Sequence, residues 1–235
     1  MEIMLKKQKI LALIPARGLS KSIKKKNLQN IKNKSLIQRM FISLKKSKYI
    51  DKIVCSSEDR KIINHCKKIN LDFIKRPLRL SQDNSDVFFT AKHCLEFFQK
   101  LGLNFDILIL AQATSPFVET KVVNDVIKAM INDNKFKSCQ TVHKTPHNYH
   151  YLNTRVMSKS GELNFKFLKE RQSKTNKQKK ATTYTFGNLI ACRVENFLKK
   201  KDFFCKPSKG IIIDKFSSFD LDDKEDLKIA RRYKL

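Results

Sequence analysis

Short apolar runs alternate along this chain with segments whose apolar residues recur at helical spacing, the pattern of strand–helix units around a largely parallel sheet. The first strand is expected at Lys9–Pro15, followed by a polar stretch from Ala16 to Lys34 that is longer than a plain connection needs. A helix from about Ser35 carries Leu36, Ile37, Met40, Phe41 and Leu44 on one face, and Lys52–Ser56 reads as the second strand. A helix over Glu58–Ile69 buries Ile62, Ile63, Cys66 and Ile69, and a short strand over Asp72–Ile74 precedes the turn at Pro77. Ser85 is the expected N-cap of a helix burying Phe88, Ala91, Leu95 and Phe98.

The continuous apolar run Phe105–Ala111 belongs at the sheet centre, covered on both faces. It ends in Gln112, Thr114 and Ser115, polar residues at the strand edge where open α/β sheets place ligands. Glu119–Ile131 is a further helix with Val122, Val123, Val126, Ile127 and Met130 as its stripe. From Ser138 the texture changes to short strands and polar stretches, including a lysine-rich segment over Lys169–Lys180. Residues 138–190 are read as an inserted active-site or dimer-contact arm on one domain spanning residues 1–235. Strands are expected at Thr182–Cys192, Gly210–Asp214 and Phe216–Leu221, then a helix from about Asp223.

Composition narrows the picture. The apolar run Ile10–Pro15 is too short for a signal segment, and no run approaches the roughly 20 residues that cross a bilayer, so the expectation is a soluble cytoplasmic protein. Six scattered cysteines without a CxxC pair read as buried free thiols. The net charge of +28 points first to polyanions. Its 50 lysines and arginines are spread over the whole chain, however, the phenylalanines fall at core positions, and no nucleic-acid-binding module is recognisable.

Four segments could carry chemistry. Ile14–Lys21, with Lys26 and Asn27 beyond it, offers backbone N–H groups, a guanidinium and ammonium groups together, as polyphosphate oxygens require. It has neither Walker A nor GxGxxG spacing, and alone it is as compatible with solvated surface. Asp220 and Asp222, two apart, would share one face of a strand and suit a hard divalent cation; an exposed turn fits the spacing equally. Arg76-Pro77 with Leu80, Ser81 and Asp83, and Gln112–Pro116, are each open to reading as turns.

Taken in order, these segments resemble the acylneuraminate cytidylyltransferases, the CMP-sialic acid synthetases, over nearly the whole chain. That family's IPARGGSKGIPxKN loop is matched by IPARGLSKSIKKKN at residues 14–27. Its VxVSTDD, RPxxLAxD and LQATSP segments are matched by IVCSSED at 53–59, RPLRLSQD at 76–83 and LAQATSP at 110–116. The late SxDIDxxxD is matched by SFDLDDKED at 218–226. The resemblance implies a Rossmann-like three-layer αβα fold and transfer of CMP from CTP to the anomeric hydroxyl of a nonulosonic acid, with release of pyrophosphate. It implies that Arg17, Ser20, Lys21, Lys26 and Asn27 hold CTP, with Arg76 near the cytidine. Gln112, Thr114, Ser115 and Arg171 would meet the acidic sugar, and Asp220 and Asp222 would bind Mg2+. Arg17, Lys21, Asp220 and Asp222 would be the catalytic set, in a homodimer joined through the arm. An eight-carbon keto-sugar acid is the alternative acceptor.

The departures from the pattern are local. Leu19 and Ser22 replace loop glycines, Lys24 stands where proline is common, Val118 replaces an arginine, and Phe186-Gly187-Asn188 replaces an NGA or NGS segment near the sugar. His143, His147 and His150 lie in a proline-containing loop read as a polar rim in preference to a three-histidine metal site.

Overall fold

The computed structural model describes residues 8–174 and 180–233. Its central sheet has seven strands: β1 (Ile10–Pro15), β4 (Lys52–Ser57), β5 (Phe73–Lys75), β6 (Ile107–Ala111), β7 (Ser138–Lys144), β10 (Tyr184–Arg193) and β11 (Ser208–Ile212). They are ordered β11-β7-β10-β6-β1-β4-β5. β1 pairs in parallel with both β4 and β6, and β10 is the strand running against its two neighbours. Two small hairpins stand apart, β2 (Asn30–Ile31) with β3 (Lys34–Ser35), and β8 (Arg155–Met157) with β9 (Leu163–Phe165).

Alternation along β1 builds the three layers. Ile10, Ala12 and Ile14 face α1 (Leu36–Lys45), α2 (Arg60–Lys68), α4 (Thr120–Asn132) and α7 (Lys224–Arg232). Leu11 and Leu13 face α3 (Val87–Lys100) and α6 (Val194–Lys200). β6 is buried along its whole length, as a central strand covered on both faces must be. All six cysteines are free and buried. Ser35 caps α1 by accepting from Gln38 N, and Asp59 caps α2. Among the described residues no helix is long and apolar enough to cross a membrane.

Three local expectations need correction. The α3 cap is Asp86, whose carboxylate accepts from Phe88 N, while the Ser85 hydroxyl donates to Arg79 O at 2.7 Å. Residues 216–221 form no strand: the Asp214 carboxylate accepts from Phe216 N and Ser217 N at 2.8 Å each and folds the chain into a turn. Phe216 then stacks on Phe117 and on Tyr233. The stretch 138–190 begins and ends inside the sheet, since β7 and β10 are neighbours there; the excursion from it covers residues 145–183, with β8, β9 and the short α5 (Leu168–Ser173). Residues 175–179 of the lysine-rich segment lie outside the described residues.

Candidate active site

β1 is flanked by β6 on one side and β4 on the other, so the chain leaves its carboxyl end at the point where strand order reverses. Open α/β sheets bind ligands at such a point. A cavity of about 500 Å³ opens there. The basic loop contributes Arg17, Ser20, Lys21, Lys26 and Asn27 to its wall. Arg76, Gln112 and Thr114 line it from the other side, so these predicted residues converge on one place.

The loop is held by bonds that the motif did not announce. Asn27 Nδ2 donates to Arg17 O at 3.0 Å, and Gly18 N donates to the Glu58 carboxylate at 2.7 Å. A side chain at position 18 would collide with Asp59, whose Cβ lies 2.5 Å from where a Cβ would stand. Leu19 and Ser22 have no positive φ; the left-handed residue of the loop is Lys25, at φ 53°. The glycine-for-larger departures therefore ask nothing unusual of the backbone. Arg17 and Lys21 both bond Asp83, at 2.8 and 2.6 Å. The Lys21 ammonium, followed by the Arg17 guanidinium, holds the Asp83 carboxyl below the usual carboxylate range. These are exposed pairs, which solvent screens.

The acidic segment around residue 220 packs behind Lys26 and Thr114. Leu221 N donates to Thr114 O at 3.0 Å, and Ser115 Oγ donates to Asp220 at 3.1 Å. The Lys26 ammonium, 14% exposed, donates to Leu221 O at 2.6 Å and stands 4.0 Å from Asp222. Burial pushes the Asp220 carboxyl above the usual carboxylate range. Hydrogen bonds from Thr114 and Ser115 pull it back, the Asp222 charge pushes with burial, and Lys26 opposes it. Ser115, 1% exposed, thus supports Asp220 from beneath and does not line the cavity itself.

Asn188 is fully buried, away from any ligand-facing position. It sits at an irregularity of β10, bonds Thr141 and donates to Ser217 O, so it anchors the loop that carries Asp220. Gly187 passes so close to Thr141 and Ile213 that a Cβ would stand 2.6 Å from the Thr141 hydroxyl. Arg171 is not at the cavity: on α5 it donates to Asn153 at 2.6 Å and lies over the Phe165 ring. His150 is buried, with Nε2 3.1 Å from Ala181 O and Nδ1 accepting from Leu152 N. Among the described residues no three metal-ligating side chains cluster.

A second cavity of about 470 Å³ shares Gln112 and Val87 with the first. Phe186, Ile190, Phe203 and Phe204 give it an apolar wall, with Lys201 and Asp202 also present. Glu58 lies in the IVCSSED segment and Phe186 in the acceptor-side segment without either having been given a role there, and Thr141, Phe203 and Phe204 lie outside every segment. The signals for Glu58 were its place in that segment and an acidic residue at the carboxyl end of a strand.

The family model described as cytidylyltransferase matches residues 11–230. The N-acylneuraminate cytidylyltransferase of Escherichia coli O18:K1:H7 is 27% identical over 222 residues, which is 94% of this chain and 51% of that protein, so the chain spans about half of that relative's length. A pseudaminic acid cytidylyltransferase of Campylobacter jejuni is 28% identical over 229 residues, 95% of each chain. Among solved structures, CMP:2-keto-3-deoxy-manno-octonic acid synthetase complexed with CTP superposes with a TM-score of 0.69 at 14% identity, covering 95% of this chain and 97% of that one, a likeness of fold. With the family match running from the first strand to the last helix, the chain belongs to the cytidylyltransferase family, whose members are nucleotidyltransferases.

Proposed function

We propose that the protein transfers CMP from CTP to the anomeric hydroxyl of a sialic-type nonulosonic acid and releases pyrophosphate. The observation that carries this reading is Lys26, which lines the cavity together with the basic loop and also bonds Leu221 O beside Asp222, so that the Asp220–Asp222 segment packs behind the cavity wall. Arg17 and Lys21 take the triphosphate oxygens in exchange for Asp83. Arg76 and Val87 lie on the cytidine side, and Gln112 stands between the two cavities, where it meets the sugar.

Asp220 and Asp222 suit Mg2+, which binds through one or two carboxylates together with substrate phosphates and water. The ionised form of Asp220 is disfavoured by burial and by Asp222, and a cation held by these carboxylates would favour it. When bound, the metal neutralises charge on the phosphates and on the attacking oxygen. The chain's own residues orient the α-phosphate for in-line displacement, with Lys26 and Lys21 stabilising the charge that moves to the departing pyrophosphate. The reaction needs no covalent nucleophile.

For the acceptor, the apolar wall of the second cavity favours a sugar bearing acyl groups over an eight-carbon keto acid that has none. An eight-carbon keto-sugar acid is the second reading, supported by the shared fold. The arm exposes Val156, Met157, Leu163 and Leu168, each more than half accessible, which supports a homodimer with the arm at the contact. A monomer by light scattering at micromolar concentration refutes that assembly. Pyrophosphate release from CTP and Mg2+ with sialic, legionaminic, pseudaminic and eight-carbon keto-sugar acids tests the activity. Release with a nine-carbon acid is expected; release only with the eight-carbon acid selects the second reading, and silence from folded protein refutes both.

A further inference from the structure

The carboxylate of Glu58, at the end of β4, is 8% exposed, as deep as the Arg76 guanidinium at 5%. One oxygen accepts the Gly18 N–H at 2.7 Å. The other accepts Arg76 Nε and one Arg76 terminal nitrogen, each at 3.0 Å, and the Ser81 hydroxyl at 2.7 Å. These donors come from the basic loop and from the 76–83 segment between β5 and α3, two stretches far apart in sequence that together form much of the cavity wall. Arg76 completes the frame by donating to Thr90 at 3.3 Å.

We infer that Glu58 is a positioning residue for the nucleotide: it fixes the backbone of the basic loop against Arg76, and so sets where Arg17, Ser20 and Lys21 meet the triphosphate. Burial disfavours its charge, but the Gly18 N–H and the Ser81 hydroxyl outweigh it and Arg76 adds to them, leaving the carboxyl below the usual carboxylate range. A fully bonded buried carboxylate is rigid, and removing one partner of such a pair leaves the other buried and uncompensated. The Gly18 N–H has a consequence for phosphate binding. In many phosphate-binding loops the glycine N–H groups point at the ligand; here this one points away, into Glu58, so phosphate affinity falls on the side chains that follow it. Gly18 itself is required because the loop must pass against Asp59 to reach Glu58.

This inference rests on the cavity being the CTP site, and the test separates the two. Glu58→Gln keeps the size but presents an amide NH2 to one set of donors. We expect its CTP Kd, by calorimetry, to rise about tenfold or more, the scale of a charge-assisted hydrogen bond turned repulsive. The KM for CTP should rise more than kcat at saturating CTP falls, and Glu58→Asp should recover part of the loss. A folded Glu58→Gln protein with a CTP Kd within about twofold of the parent overturns the inference when Lys21→Ala is strongly impaired. If neither variant changes CTP binding, the nucleotide site is elsewhere and the inference falls with it. A measurement on the unaltered protein guards against a variant that fails to fold: the Gly18 amide should be protected from hydrogen exchange without CTP and gain nothing when CTP is added. Free exchange without CTP, with protection appearing only on its addition, would show that this N–H serves the phosphates and not Glu58.

Discussion

Lys26 joins the two halves of the site, and replacing it with methionine removes the charge while keeping most of the stem. Its ammonium is 14% exposed and donates at 2.6 Å to Leu221 O, between the two aspartates. A hydrogen bond involving a charged group contributes about 1.5–3 kcal/mol. Part of that returns as water reaches the Leu221 carbonyl, because Asp222 beside it is 87% exposed. A net loss of about 1–2 kcal/mol follows, which in a chain of this size lowers the melting temperature by about 2–8 °C. The effect on turnover should be larger, since a preorganised charge near a developing oxyanion is worth about 10²–10³ in kcat. Scanning calorimetry and pyrophosphate release under saturating CTP read the two effects separately. A Lys26→Met protein whose kcat stays within about threefold of the parent would refute the placement of Lys26 beside the reacting phosphates.

Other consequences follow from single contacts. Gly18→Ala should weaken CTP binding by about tenfold or more while leaving the sheet intact, because the new methyl overlaps Asp59 and lifts Gly18 N from Glu58; unchanged CTP affinity would count against this geometry. Burial, with a smaller contribution from Lys68, holds the His65 pKa below its ordinary value, and its Nε2 lies 2.6 Å from the Ser35 hydroxyl that caps α1. The unfolded chain therefore binds the proton first, so stability is fully present above about pH 6.5 and is lost as pH falls through the lower folded value. Thermal unfolding from pH 8 to 5 should show this fall, and His65→Gln should flatten it; an equally steep fall in the variant would exclude His65 as its source. Leu13→Ala, in a fully buried position facing α3, should cost about 2–5 kcal/mol by denaturant unfolding.

Much of the sheet was legible because period and composition act locally. Strands β1, β4 and β6 fall within a few residues of the expected Lys9–Pro15, Lys52–Ser56 and Phe105–Ala111, since each is an apolar run bounded by polar residues. The basic loop and Gln112–Thr114 were legible for the same reason: each follows a strand directly, and parallel strands deliver their carboxyl ends to one edge. Of the two readings open for Asp220 and Asp222, the strand does not hold: Asp214 turns the chain before them, and Leu221 N between them bonds Thr114 O.

The misses share a physical cause. Glu58 meets partners 18, 23 and 40 residues away, and Asn188 meets others at 29 and 47. No local pattern encodes such pairings; they exist only once the sheet has brought the segments together. The motifs therefore contain these residues but do not say that they hold others still instead of touching the ligand. In this chain each half of the site has such a holder: Glu58 behind the basic loop and Asn188 behind the acidic one, both buried and both hydrogen-bonded to more than one segment. The positions of Leu19 and Ser22 then become intelligible. A loop pinned by Glu58 at Gly18 and by Asn27 at Arg17 keeps its course through tertiary bonds, so it does not depend on glycines at 19 and 22 for its shape.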